Sequence, residues 1–431
     1  MTFRIVKSHS RFVSAWQSAL TGGTPLRIAF KAAADALSKV ITFVVMVLAA
    51  RTLPAPAFGA LAVATTTGWL VGVATDAGWS MYLAREVARR PEAWRATFAR
   101  VLSIRAALAY FGLVILVLGA GRFVPGEYRR AFVILVAAYL TSAVLETVGH
   151  LFRGLDRSEI EAAVQVSQRL AAGASALYVL WSAPDLDRLG WALLWPPAAA
   201  LVACGLILTG LKGGRRAAGP MLSWSGVVRD VLPLGAGALV SALYFRCDIY
   251  FVDRWHGLDA AGAYNAVFRL VEATRLLPAA VLAVTFPALC RARDREPVAR
   301  LSARLTTAGT LFGAAVALAA PWIVVWAYGE PFRASATTLS ILGLAIPLFF
   351  LNYALTHQVI GWDGQRAYLA IAVLALAVNV LANLSLVPPL AANGAAAATV
   401  LTEIVVTLGC IFVLWSGAWF PARPRTSEGG R

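Results

Sequence analysis

Eleven ionisable side chains fall inside long apolar runs of this sequence. Six are basic: Lys39, Arg105, Arg169, Arg246, Arg269 and Arg275. Five are acidic: Asp76, Glu146, Asp248, Glu272 and Glu403. A charge in apolar surroundings is costly unless it faces a cavity or a partner. Guanidinium groups bind phosphate groups through forked, charge-assisted hydrogen bonds, and a buried carboxylate can hold a proton or a cation.

The elements that position these charges are membrane-spanning helices. Of the 431 residues, 59% are hydrophobic and only 14% are charged, and the mean hydropathy is +0.71. A helix needs about 20 apolar residues to cross the hydrocarbon layer, and the sequence supplies such runs repeatedly. We predict an all-α polytopic membrane protein with about twelve spans: 33–50, 59–79, 102–121, 131–152, 160–182, 190–211, 231–252, 262–289, 305–328, 335–359, 367–389 and 394–416.

The distribution of Lys and Arg predicts the orientation. With both termini in the cytoplasm, 25 of the 38 Lys and Arg fall in inner segments and seven in outer loops. Positive charge concentrates in cytoplasmic loops, so the count supports this topology and an even number of spans. Most of the net charge of +16 therefore faces the cytoplasm and anionic membrane lipids, and no basic soluble domain remains for nucleic-acid binding.

The sequence also indicates two related halves. We predict a basic cytosolic N-terminal segment (1–32), six-helix bundles at 33–211 and 231–416, a cytosolic linker (212–230) and a cytosolic tail (417–431). Arg51 stands eight residues before Gly59, and Arg254 stands eight before Gly262, so one offset of 203 aligns both pairs. Six spans per half predict a parallel pseudo-repeat, with substrate between the halves.

Two stretches carry a resemblance to a known family. They are LAARTLPAPAFGALAVATTTGWLVGVATDAGWSMYLAREVAR (48–89) and LPLGAGALVSALYFRCDIYFVDRWHGLDAAGAYNAVFRLVEATRLLPAAVLAVTFPALCRA (232–292). Their FG-aliphatic hairpin, Arg-x-Asp pair and closing Phe-Pro-x-Leu resemble the oligosaccharide-lipid flippases of polysaccharide export. That superfamily also contains multidrug extruders and lipid II flippases. We predict twelve spans in this chain, whereas lipid II flippases have fourteen spans.

The resemblance implies a flippase for a polyprenyl-pyrophosphate-linked oligosaccharide, working by alternating access in a bacterial inner membrane. It implies a lipid-linked oligosaccharide and membrane lipids as partners, together with a polysaccharide polymerase and export proteins. The sequence has no Gly-x-x-x-x-Gly-Lys-Ser/Thr loop, so we expect no nucleotide cofactor. We expect transport to be coupled to an ion gradient or to the membrane potential instead.

Helix geometry selects the candidate site residues. At about 1.5 Å per residue, Arg246, Asp248, Arg269 and Glu272 form one cluster, which either pins two helices together or releases an Arg for pyrophosphate. Arg275 is the best single candidate. We predict pairing of Lys39 with Glu146 or Asp76, and snorkelling of Arg105. The candidate substrate ligands are Arg275, Arg246, Arg269, Arg169 and Lys39. The candidate coupling residues are Glu403, Glu272, Asp248 and Glu146.

Two alternatives remain open at this point. One is a cation-coupled multidrug extruder of the same superfamily. The other is an integral-membrane glycosyltransferase or polysaccharide polymerase, in which Asp185 and Asp187 of PDLDRLG would hold a metal. The outer loop that carries this pair is too short to build a donor site, so we expect no enzymatic activity.

Overall fold

The apolar runs of the first half form helices that end at, or within two residues of, a Pro, a Gly or a charged residue. The computed structural model describes residues 24–211, 224–291 and 295–416. Contacts divide the chain into two compact units, Met1–Gly235 and Ala236–Arg431. The helices of the first unit are α1 (Thr24–Thr52), α2 (Ala55–Asp76), α3 (Trp79–Arg89), α4 (Trp94–Gly119), α5 (Arg129–Gly154), α6 (Ser158–Ser182) and α7 (Leu186–Gly210). Helix α8 (Trp224–Arg246) begins in this unit and ends in the next.

The second unit is built from longer and more interrupted helices. They are α9 (Asp248–Thr274), α10 (Leu276–Arg291), α11 (Arg295–Tyr328), α12 (Ala336–Gly343), α13 (Ile346–Gly361) and α14 (Gln365–Ser416). Single residues separate α8 from α9 and α9 from α10, at Cys247 and Arg275. Helix α9 contains a non-helical residue at Gly257, with φ 81°. Helix α14 contains one at Ala391, with φ 50°. Each of these two elements is therefore a pair of helices.

The prediction of an all-α chain of membrane spans in two bundles is confirmed. The described residues contain seven helices that are long and apolar enough to span a membrane, or eight if one bent pair counts as a single span. Two of the seven, Gly235–Leu282 and Gln365–Ser416, contain the breaks at Gly257 and Ala391. Dividing each of these two elements at its break gives nine spans. The bent pair, helix α1 and helix α6 add three more, which agrees with the twelve predicted spans. Residues 1–23 of the predicted N-terminal segment (1–32), residues 212–223 of the predicted linker (212–230) and the whole predicted tail (417–431) lie outside the described residues.

The chain turns at matching places in the two predicted repeats. In the first, α1 ends at Thr52 and Pro54 caps α2. In the second, the non-helical residue is Gly257, which lies 203 residues after Pro54. The offset that aligns Arg51 with Arg254 therefore also aligns the two turns. The parallel relation of the two halves to each other stays a prediction.

A short amphipathic helix lies within a segment that the sequence marks only as polar and basic. Helix α3 buries Trp79, Tyr82, Leu83, Glu86 and Val87. These positions follow the i, i+3, i+4, i+7, i+8 spacing of a single helical face. The buried face packs in one core cluster with Leu151 and Phe152 of α5. The exposed face carries Arg85 and Arg89.

Candidate functional site

The first unit contains a fully buried arginine. Arg105 is 1% exposed, so the prediction that it snorkels to the surface is wrong. Its guanidinium donates to Thr147 Oγ1 at 3.1 Å, to Thr75 Oγ1 at 3.0 Å and to the carbonyl of Ala143 at 3.1 Å. It also lies 3.5 Å from Oδ1 of Asp76. Arg105 thus joins α2, α4 and α5 through bonds that use most of its donors.

Asp76 connects this arginine to the start of α3. Its carboxylate accepts hydrogen bonds from the backbone N–H of Gly78 at 3.2 Å and of Ser80 at 3.3 Å, and from the Ser80 hydroxyl. The predicted alternative partner, Lys39, is exposed, as is Glu146. Among the described residues neither makes an ion pair, so the expected pairing of Lys39 with Glu146 or Asp76 is not formed. Asp76 neutralises Arg105 instead.

A small cavity in the first unit has Arg169 in its wall. The cavity has a volume of about 70 Å³ and is bounded by α1, α2, α5, α6 and α7. Its polar lining consists of Thr42, Thr65, Tyr139, Ser142, Gln168 and Arg169. The remaining lining is apolar, and none of the lining residues is acidic. Within the described part of the chain, the Arg169 side chain makes no hydrogen bond or ion pair. Arg169 is half-buried.

In the second unit, three arginines surround one glutamate. Arg246 Nη2 lies 2.5 Å from Glu272 Oε2, and the Arg246 side chain is only 12% exposed. Arg269 and Arg275 act electrostatically on the same carboxylate. The Nε atom of Arg269 is buried without a hydrogen-bond partner among the described residues. Glu403 also acts electrostatically on Arg275, so two carboxylates oppose three guanidinium groups and the cluster carries an excess of positive charge.

Arg275 occupies the interruption between α9 and α10 and is held by aromatic rings. Its Cζ lies 4.3 Å from the ring centroid of Phe245 and 5.3 Å from that of Phe349. Cation–π contact stabilises a guanidinium through the ring face. A guanidinium has five N–H donors. In the described part of the chain, the Arg275 side chain donates none of them in a hydrogen bond or ion pair, whereas its backbone N–H donates to the Glu272 carbonyl at 3.1 Å.

The predicted cluster of Arg246, Asp248, Arg269 and Glu272 divides into two. Asp248 takes part in no ion pair among the described residues. Its Oδ2 accepts from the hydroxyls of Tyr264 and Thr399, each at 2.9 Å, and its Oδ1 accepts from Nδ2 of Asn383 at 2.8 Å. Asp248 is 2% exposed. A buried carboxylate is therefore held by neutral donors alone.

Glu403, the second buried acid of this unit, also has neutral partners. Nδ2 of Asn352 donates to Glu403 Oε2 at 2.6 Å and to the Glu403 carbonyl at 2.9 Å. The hydroxyl of Thr407 donates to Oδ1 of Asn352 at 2.7 Å and fixes the amide. Glu403 also interacts electrostatically with Arg275. Glu403 therefore has a fixed amide partner and a guanidinium group in its surroundings.

Sequence reasoning missed the neutral members of these networks. Asn379 and Asn383 are fully buried and lie one helical turn apart in α14. Asn383 Nδ2 donates to the Asn379 carbonyl at 2.9 Å. Two amides at i and i+4 in an otherwise apolar span are costly unless they are hydrogen-bonded, so their spacing was a usable signal. Counting only ionisable residues overlooked it.

The fold of the chain is that of a known class of membrane transporters. An inward-facing multidrug resistance transporter of the MATE family is similar with a TM-score of 0.72 at 11% identity, covering 88% of this chain and 94% of that one. The lipid II flippase MurJ is similar with a TM-score of 0.69 at 11% identity, covering 89% and 87%. A Pyrococcus furiosus transporter, noted for the reverse polarity of its binding pocket, has a TM-score of 0.64 at 13% identity, covering 93% and 97%.

The family follows from the sequence match. The model of the polysaccharide biosynthesis protein family matches residues 28–293, which is more than half of the chain. The chain therefore belongs to this family. No curated protein matches the sequence significantly.

Proposed function

We propose that this protein is a flippase that moves a polyprenyl-pyrophosphate-linked oligosaccharide from the cytosolic to the outer leaflet for surface polysaccharide synthesis. Membership of the polysaccharide biosynthesis family supports the pathway. The fold shared with multidrug transporters and with a lipid II flippase supports transport of an amphipathic molecule. The observation that carries the proposal is the excess of guanidinium groups around Glu272 in the second unit.

The pyrophosphate is assigned to this cluster. Arg275 is held by two phenylalanines, and its side-chain donors bond to no other described residue. Arg246 lies over Phe245 and Phe268 with Cζ 5.5 and 5.0 Å from their ring centroids. Planar guanidinium groups in apolar surroundings bind phosphate oxygens bidentately with little loss of hydration. Glu272 offsets part of the mutual repulsion of the three guanidinium groups before substrate arrives. Arg269 adds charge, Arg169 belongs to the separate cavity, and exposed Lys39 is the weakest candidate.

Coupling to an ion is assigned to Asp248 and Glu403. Both carboxylates are buried and are hydrogen-bonded to neutral groups, so either can accept a proton without breaking an ion pair. Oxygens of Asn383 and Thr399 beside Asp248 could equally hold a small cation. Glu272, already bound to Arg246, and exposed Glu146 fit this task less well.

The remaining expectations belong to the same proposal. The protein would reside in the bacterial inner membrane with both termini in the cytoplasm, and it would act beside a polymerase and export proteins. It would be a transporter without catalytic activity. Asp185 accepts a hydrogen bond from the Arg188 N–H as the N-cap of α7, and Asp187 pairs with Arg130 at 3.4 Å. Both acids therefore have structural partners, which weakens the glycosyltransferase alternative.

The test replaces Arg275 and Arg246 by glutamine, singly, in a strain whose own gene is deleted. We expect the wild-type gene to restore surface polysaccharide, and each variant to lower it at least tenfold while lipid-linked oligosaccharide accumulates on the cytosolic face. Arg366, exposed at the start of α14, gives the matched control R366Q, which should complement fully. Full polysaccharide output from both R275Q and R246Q would contradict the assignment of the cluster. Efflux of cationic dyes without any polysaccharide defect would favour the drug extruder.

A further inference from the structure

The cavity of the first unit offers unused hydrogen-bond donors. The Arg169 guanidinium has five N–H groups, and none is bonded to another described residue. The Tyr139 hydroxyl, the Ser142 hydroxyl and the Gln168 amide line the same cavity and likewise make no hydrogen bond within the described part of the chain. Arg169 is half-buried in this wall and its donors have no protein partner among the described residues, so the wall is suited to an anionic ligand.

The charge of the lining limits what that ligand can be. Arg169 is the only charged residue of the lining, so the cavity matches a single negative charge. The nearest acid on α6, Glu161, is already paired with Arg153. The cluster around Glu272 in the second unit, with three arginines, matches the higher charge of a pyrophosphate instead. The two units therefore differ in the number of negative charges that they can neutralise.

The size and mixed polarity of the cavity limit the ligand further. At about 10–15 Å³ per water molecule, the volume of about 70 Å³ holds roughly five waters. That space accommodates a carboxylate and the adjoining edge of one sugar ring. Side chains of Ile41, Val45 and Met46 form an apolar side, against which the C–H groups of a sugar can pack. Hydroxyl and amide groups on the other walls can bind ring hydroxyls.

The close packing of the walls fixes this geometry. A Cβ atom added at Gly173 would lie 2.4 Å from Cγ2 of Ile41, and one at Gly68 would lie 2.7 Å from Cβ of Tyr139. Helices α6 and α1, and α2 and α5, therefore approach each other as closely as glycine allows. The cavity is a preformed space between tightly packed helices, which favours selective binding.

We propose that this cavity is a subsite for an acidic sugar of the transported glycan, with Arg169 binding the sugar carboxylate. This assignment rests on the proposed function, because the carboxylated sugar is taken to belong to the transported lipid-linked glycan. Tyr139, Ser142 and Gln168 bind the neighbouring hydroxyls. The substrate class is thereby narrowed to a lipid-linked oligosaccharide that contains a uronic acid or another carboxylated sugar.

The experiment measures ligand binding to the purified full-length protein in lipid nanodiscs by saturation-transfer difference NMR. The probes are glucuronate, glucose and acetate. We expect glucuronate to bind the wild-type protein at least tenfold more tightly than either of the other two, because only glucuronate combines the charge with the ring. R169Q should weaken glucuronate binding at least tenfold and leave glucose unchanged, and R169K should weaken it a few-fold, because lysine keeps the charge without the fork.

The matched control is R157Q, which makes the same change at an exposed position just before α6. It should bind glucuronate like the wild-type protein. Equal binding of glucuronate and glucose, equal binding of glucuronate and acetate, or full glucuronate affinity in R169Q would each overturn the subsite. The relative affinities of the wild-type protein for the three probes test the subsite even if a variant misfolds. The flippase proposal fails separately, if gene deletion causes no accumulation of lipid-linked oligosaccharide.

Discussion

Arg105 in the first unit and Asp248 in the second are equally well hidden, with exposures of 1% and 2%, but their surroundings differ. Arg105 has an opposite charge beside it, since Asp76 lies 3.5 Å away, and it also binds three oxygens on α2 and α5. Asp248 has only neutral donors, namely Tyr264, Thr399 and Asn383. One charge is balanced by its neighbours and the other is not.

This difference indicates a structural role for Arg105 and a role in transport for Asp248. A balanced pair of buried charges can keep one protonation state throughout a transport cycle, so it serves to hold helices together. A carboxylate with neutral neighbours keeps most of its hydrogen bonds whether it is charged or neutral, so it can change its protonation or bind an ion at small structural cost. The comparison therefore predicts opposite consequences when each charge is removed, in both stability and transport.

Removal of Arg105 should have the largest effect on the folded protein. The variant R105M loses the bonds to Thr75 and Thr147 and leaves Asp76 without its cation. Because Asp76 is 28% exposed and keeps its bonds to Gly78 and Ser80, we expect the free energy of unfolding to fall by about 1–3 kcal/mol, which is the cost of leaving buried polar groups unsatisfied. We expect little monodisperse protein and a clearly lower melting temperature in detergent. The double variant R105M/D76N should recover part of the loss, because no unpaired carboxylate remains. An unchanged melting temperature of R105M would show that the pair is not structural.

Much of the fold follows from the sequence because hydropathy and loop charge are local properties that lipid makes decisive. The turn at Gly257 was implied by its match to the turn at Pro54, 203 residues earlier. The interruptions at Cys247 and Arg275 were not predictable, because they depend on neighbouring helices that re-satisfy the backbone. Helix α3 was missed because its five buried positions are few and its other face is basic.

The sequence also predicted the site only in part. It named Arg246, Glu272 and Arg275, which the second unit brings together, since their spacing on consecutive helices limits the distances. It could not assign Asp248 to Thr399 and Asn383, which are 151 and 135 residues away along the chain. Nor could it pair Asp76 with Arg105 rather than Lys39, because the rotation of each helix about its own axis decides which side chains face each other.

A smaller effect is expected at Asp185, whose side chain caps the start of α7. The variant D185A loses the hydrogen bond from the Arg188 N–H and should lower the free energy of unfolding by about 1 kcal/mol. Surface polysaccharide should stay at the wild-type level, because this carboxylate is placed in a cap and not in a reaction. D185N is the matched control and should leave the free energy of unfolding unchanged, since Asn is as good an N-cap residue as Asp. Loss of all polysaccharide in D185A would instead favour a metal-dependent glycosyltransferase.

The smallest effect on stability is expected at Asp248, together with the loss of transport. In D248N the new Oδ1 can still accept from Tyr264 and Thr399. Its new Nδ2 would face the Asn383 amide, and a flip of that amide would supply an acceptor but give up the bond to the Asn379 carbonyl. D248N therefore loses about one neutral hydrogen bond while it removes a buried charge, and these effects oppose each other. We expect a melting temperature close to that of the wild type and at least a tenfold loss of surface polysaccharide at normal protein level. The matched variant D76N should show the reverse order, with lower stability because Arg105 loses its counter-charge. Full export by D248N, or a loss of stability as large as that of R105M, would show that the two buried charges serve the same architectural purpose.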